Sequence, residues 1–226
     1  MTAPILAFTN TPVSKDQLIA SIERHAAAGR GHHDFGEKTS GSSEYETNFG
    51  IPRMVAHLED GIFKGLRGDA QGAWPLRFAR AVPVSADLSM VGWKSMVDTL
   101  RHLPVTQAQA CVDQVIVLLD VLIAGKSRAS MRADFRSAYR VAYTTLVAAA
   151  AAADTYDSAA AYSATDAAAY AAAAAVTIAI DSASFAAAAA YAAADFEDES
   201  ARLSERIRQA DCLVRLLKSA PVMVAS

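Results

Sequence analysis

From Lys126 to Ala220 the chain contains neither glycine nor proline, and alanine fills most of 147–195. Alanine has the highest helix propensity because its methyl group loses no rotamer entropy and competes for no backbone hydrogen bond. Such a run is expected to be helical throughout. A single helix over 126–220 would measure roughly 140 Å at 1.5 Å per residue, too long for a compact chain of 226 residues. The breaks must then come from residues other than Gly and Pro. Asp154-Thr155-Tyr156-Asp157-Ser158 and Asp181-Ser182-Ala183-Ser184 supply the Asp, Ser and Thr side chains that cap helix N-termini. The expected outcome is three antiparallel helices near 128–153, 158–180 and 183–219.

Alanine offers little apolar area, so packing there depends on close backbone approach and on rings spaced along the run. Those rings are Tyr139, Tyr143, Tyr156, Tyr162, Tyr170, Phe185 and Tyr191. In the last helix Phe196, Leu203, Ile207, Ala210, Val214 and Leu217 recur at helical spacing, which predicts one packed face.

The first half is punctuated more often. Ser14-Lys15-Asp16-Gln17 reads as a capping box, opening a helix through Leu18, Ile19, Ile22 and Ala26 that ends at Gly29. From 29 to 43 the composition turns to Gly, His, Ser and charge, a loop of the length often found to be functional or disordered. Residues 44–49 form a helical turn closed by Gly50. Pro52 suits the first turn of the next helix, whose buried face is Val55, Leu58, Ile62 and Leu66 and which frays at Gly65 and Gly68. Trp74-Pro75 is expected to start a short helix ended by Pro83, and 85–103 a further one with Trp93, Met96, Val97 and Leu100 on one side. A second capping box, Thr106-Gln107-Ala108-Gln109, leads through Val112, Val115, Ile116, Leu119, Leu122 and Ile123 to Gly125. Because Val117, Leu118 and Val121 are apolar too, that helix is expected to be the buried centre. No alternating segment with hairpin turns occurs. The fold class is therefore all-α, a multi-helix globular bundle with an Ala-rich C-terminal three-helix segment. Its domains are expected to be 1–125, carrying the Gly/His-rich loop at 29–43, and the antiparallel Ala-rich segment 126–226.

Charge and cysteine usage bound the function. A net charge of −3 argues against an overall footprint for nucleic acid or anionic membrane, while allowing a local patch. Cys111 and Cys212 are far apart and each lies in a helical pattern, which points to free thiols in a reducing cytoplasm. The N-terminus lacks the charged start and the apolar length of a signal peptide. The most apolar segments, 111–124 and 167–180, contain or are bounded by aspartates and fall short of the ~18–20 residues that span a bilayer. A soluble, cytoplasmic protein without membrane contact is expected.

Catalytic constellations are scarce. His32-His33-Asp34, with His25 upstream, is the best candidate metal set, since imidazole and carboxylate ligate zinc and iron. Adjacent residues rarely both reach one ion, however, and no second cluster completes the ligands, so neither metal nor cofactor is expected. His57-Leu58-Glu59 matches the first half of a zinc-deaminase signature, but the required Pro-Cys-x-x-Cys is absent. His57 and Asp60 read as a surface pair one helical turn apart, and His102 as a cation near a helix C-terminus. There is no nucleophile elbow, phosphate-cradling Gly loop or HExxH. The balance leans away from an enzyme.

The sharpest feature is electrostatic. Arg128, Arg132, Arg136 and Arg140 recur every four residues, with Lys126 just before them. Like charges at this spacing destabilise a helix by some tenths of a kcal/mol per pair, so the ridge calls for a partner. An internal one would be Asp195, Glu197, Asp198 and Glu199. An external one would be a nucleic-acid backbone or an acidic protein surface.

Residues 44–66 (Glu44-Tyr45-Glu46-Thr47-Asn48-Phe49-Gly50-Ile51-Pro52 onward to Leu66), Trp74-Pro75-Leu76-Arg77-Phe78, Ala86-Asp87-Leu88-Ser89-Met90 and Gln209-Ala210-Asp211-Cys212-Leu213-Val214 carry a resemblance. Together they resemble a family of uncharacterised, alanine-rich proteins encoded by bacteriophages and prophages. Those relatives commonly have a Gly- and Cys-containing loop where this chain reads Gly29-Arg30-Gly31-His32-His33-Asp34-Phe35-Gly36. The resemblance implies a small accessory protein acting on a host component, including inhibition of a host defence system in the manner of an anti-CRISPR. The expected function is non-enzymatic binding of a host protein or nucleoprotein complex through the arginine ridge or the 30–43 loop. A metal-dependent hydrolase using His32, His33 and Asp34, and a helical scaffold self-assembling through its Ala-rich faces into a homo-oligomer, are the alternatives.

Overall fold

The computed structural model describes residues 5–9, 11, 13–27, 43–103, 109–151 and 199–223, with Asp166 and Tyr170 also helical. Within them are α1 (Lys15–Ala27), α2 (Ser43–Phe49), α3 (Arg53–Gly65), α4 (Gly68–Ala81), α5 (Val91–Arg101), α6 (Gln109–Ile123), α7 (Arg128–Ala151) and α8 (Glu199–Lys218). Extended pairing among the described residues is confined to two isolated bridges, Leu6 with Asp87 and Ala86 with Val222. The protein is all-α. The helix breaks expected at 154–158 and 181–184, the 29–42 stretch of the Gly/His loop and the capping box at 106–108 lie outside the described residues.

The contacts group the chain into two compact units, 1–92 with 206–226, and 93–205. The sequence suggested one boundary after 125. The contacts instead return the end of the chain to the N-terminal unit, because the second half of α8 buries its apolar face there.

In the first unit, α1 starts as the capping box requires. Ser14 N–H donates to Gln17 Oε1 at 2.8 Å, and Gln17 N–H donates to Ser14 Oγ at 3.3 Å. Lys15 reaches across to the end of α4, donating to the carbonyls of Arg80 (2.9 Å) and Val82 (2.6 Å). It thereby satisfies acceptors that a helix C-terminus leaves open. Burial lowers the Lys15 ammonium pKa, and neighbouring Asp16 opposes that shift. α2 ends at Gly50, whose φ of +66° and whose approach to the Leu6 carbonyl leave no room for a Cβ. α3 buries Val55, Leu58 and Ile62 as expected, with Leu66 just beyond its end, and Pro52 stands at the N-cap.

Three expectations need correction. Trp74-Pro75 does not open a helix: α4 already begins at Gly68, and Pro75 lies inside it. Proline there removes the bond to the Gln71 carbonyl. Burial of Trp74, Pro75 and Phe78 compensates, as does the bond from Trp74 Nε1 to the Glu59 carbonyl at 3.1 Å. The helix expected over 85–103 begins only at Val91. Ser85 takes a positive φ of 62°, residues 86 and 87 pair with the two chain ends, and Asp87 Oδ1 accepts the Ser89 N–H at 2.9 Å. In α8 the expected seam departs at one position. Ala210, Val214 and Leu217 are buried, but Ile207 is 41 % exposed, while Arg206 is 2 % exposed and occupies the inward position.

In the second unit, α6 and α7 form an antiparallel hairpin around Gly125, which adopts a φ of +102°. α6 buries Cys111, Val112, Val115, Ile116, Leu119 and Leu122. Val117 is 59 % exposed, so α6 presents one apolar face and is not buried all round. Cys111 here and Cys212 in the first unit are both buried and form no disulfide with each other. No helix among the described residues is long and apolar enough to cross a membrane.

Candidate binding face on the arginine helix

α7 begins at Ser127, whose Oγ accepts the Ser130 N–H at 3.2 Å, a side-chain N-cap. Its buried residues are Met131, Phe135, Ala138 and Ala142, all at most 1 % exposed. Steps of four, three and four give a narrow seam of the coiled-coil kind, and the two alanines permit close approach to α6. At 100° per residue, a different sector of the helix carries Arg132, Arg136, Arg140, Tyr139 and Tyr143, all exposed. Tyr139 and Tyr143 stack on each other with centroids 6.1 Å apart and planes inclined by 27°.

The four arginines therefore divide. Arg128 is half-buried, with its guanidinium 5.7 Å from the centre of the Trp93 ring, a cation–π contact within the second unit. Burial, and then repulsion from Arg132, lower its pKa from the ordinary value. Arg132, Arg136 and Arg140 face solvent, and among the described residues no carboxylate forms an ion pair with them. Glu199 makes no such pair, and Asp195, Glu197 and Asp198 lie outside the described residues. Of the four, only Arg128 lies in the first turn, where a cation also opposes the macrodipole; the others carry the like-charge cost alone.

His32, His33 and Asp34 lie outside the described residues, as does the side chain of His25. Among the described residues no group of three or more His, Cys, Asp and Glu is placed to hold a metal ion. Asp60 accepts from Lys64 Nζ at 2.7 Å, and its charge also acts on His57 one turn away. His57 is half-buried, and its pKa is lowered by burial against the opposing effect of Asp60. His102 Nδ1 lies 2.7 Å from the Asp98 carbonyl.

One chemically unusual residue was missed by the sequence reading. Glu59 is 1 % exposed on the buried face of α3, and burial, followed by the charge of Asp60, pushes its pKa up to about 8. Hydrogen bonds involving Tyr45 and Trp74 act in the opposite direction. Burial likewise raises the Tyr45 hydroxyl well above its ordinary value, with Glu59 adding to the shift. The signal was present, because Val55, Glu59, Ile62 and Leu66 share helical spacing. A carboxylate on that stripe reads as an interruption until its partners are seen. Compared with known proteins, the chain matches no family model, no curated protein and no solved structure.

Proposed function

We propose that this is a non-catalytic accessory protein, of the phage or prophage type its motifs resemble, that binds an anionic surface of a host protein or nucleoprotein complex through α7. Inhibition of a host defence system is the role that the resemblance suggests. The observation carrying the binding reading is the exposed Arg132, Arg136 and Arg140 ladder, without carboxylate partners among the described residues and flanked by the exposed Tyr139 and Tyr143. The helix bears like-charge repulsion that no described carboxylate offsets. Guanidinium groups bind phosphate and carboxylate in bidentate fashion, and tyrosine adds rigid contact area at low entropic cost.

The test is capture from host lysate with mass spectrometry, comparing the native chain with the double variant Arg132→Glu/Arg136→Glu. The captured species should be lost with the variant, and its affinity should fall as salt rises. A nucleic-acid partner contacting three arginines would give a log–log salt slope of roughly −2 to −3. Capture that persists with the double variant, or affinity indifferent to salt, overturns the proposal.

A further inference from the structure

In the first unit, residues of α1, α4 and α8 line a trough with a volume of about 590 Å³. Ile22 from α1, Leu76 from α4 and Val214 from α8 give it an apolar lining. Gly72 and Ala73 line it too, both exposed, and a Cβ built on Gly72 meets nothing within 4 Å. The lining along α4 runs from Gly72 to Arg80, about 12 Å or two helical turns. Its charged lining is uneven. Arg77, Arg80 and Lys218 are cationic against the carboxylate of Glu23 and that of Asp211, which pairs with Arg77 beside the lining, so three positive charges meet two negative.

Two of those cations already have weak surface partners. Arg80 pairs with Glu23 at 3.0 Å and Arg77 with Asp211, all four side chains being 45–60 % exposed. Exposed pairs of this sort are worth ~0–1 kcal/mol, so an incoming carboxylate can share or replace them. Lys218 has no ion pair among the described residues.

We infer that this trough docks an amphipathic helix of a partner protein, one whose apolar stripe is flanked by Asp or Glu. The lining favours a rod: three helices contribute to it, α4 over two turns, and Gly72 and Ala73 leave room for a close backbone. Helix-in-groove recognition uses apolar anchors at successive turns, which Ile22, Leu76 and Val214 can receive. The surplus positive charge selects carboxylates and disfavours lysines at the flanks. The inference concerns a different surface from α7 and stands or falls separately from the function proposed above.

Three fluorescein-labelled, Ala-based helical peptides of equal length test it by anisotropy against the full chain. One carries leucines at i, i+4 and i+7 with flanking glutamates, one has the glutamates replaced by lysines, and one has the leucines replaced by glutamines. The Leu/Glu peptide should bind at least tenfold more tightly than either control. Ala73→Trp, which fills the trough, and Lys218→Glu should each weaken it at least fivefold, with melting temperature and circular dichroism unchanged. Arg132→Glu/Arg136→Glu should leave it intact. If the lysine peptide binds as well, or Ala73→Trp folds normally and binds normally, the inference is overturned. Binding of dodecanoate alone would reassign the trough to a small amphiphile. Dimerisation abolished by Ala73→Trp would reassign it to a second copy of the chain.

Discussion

A glutamate exposed to water is ionised at neutral pH, but Glu59 is held protonated up to about pH 8 because burial penalises the charge. In the unfolded chain the same carboxyl releases its proton near 4.5, the ordinary value for glutamate. Between those values the native state binds more protons than the unfolded state. Stability is therefore full below the lower value and declines as pH rises towards the upper one, by at most about 1.4 kcal/mol per pH unit. Glu59→Gln should flatten that decline, measured as urea stability at several values from pH 5 to pH 8; parallel curves for the two proteins would refute the linkage. A second single-residue dependence sits at Gly65. A Cβ there would lie 2.6 Å from Arg206 Cδ and Nε, and Arg206 is itself buried, with its Nη1 donating to Gln209 Oε1 at 2.9 Å. Gly65→Ala is expected to cost about 1–3 kcal/mol despite the better helix propensity of alanine. Chemical denaturation reads this directly, and a gain in stability would mean Arg206 can move aside freely.

Helices responded to two kinds of information, of which only one is local. The capping box at Ser14–Gln17 is set by neighbours in sequence, whereas the stop at Gly50 is also held by the distant Leu6 backbone, and both expectations were met by the structure. Ser14→Ala should accordingly cost about 1 kcal/mol, seen as a lower melting temperature. The start of α4 was not locally legible, because a buried proline in mid-helix depends on Trp74 reaching Glu59 on another helix. On α7 the two kinds of information conflict. Arg136→Glu converts two like-charge neighbours, Arg132 and Arg140, into opposite-charge pairs at i,i+4, each worth ~0.2–0.5 kcal/mol. The variant should melt slightly higher while losing binding. A lower melting temperature would instead mark Arg136 as part of the internal structure.

Across the whole molecule, both ends of the chain belong to the same unit, where Leu213 and Leu217 are fully buried alongside Trp74, while Trp93 is assigned to the other unit. Leu213→Ala should cost about 2–5 kcal/mol and perturb Trp74 fluorescence before that of Trp93, followed in single-tryptophan variants. Coincident transitions would show that the two units unfold as one. Propensity in the breaker-free stretches 128–151 and 199–218, with helical spacing elsewhere, by itself determined the helical class of the described residues, and helical periodicity located most of the apolar faces of α1, α3 and α5, since propensity and spacing are local properties. Three things were decided only by tertiary packing: the inward turn of Arg206 in place of Ile207, the burial of Glu59, and the split between Arg128 on Trp93 and three solvent-facing arginines. Each depends on which distant residues surround a side chain. A linear pattern encodes which face is apolar, but not what will be packed against it.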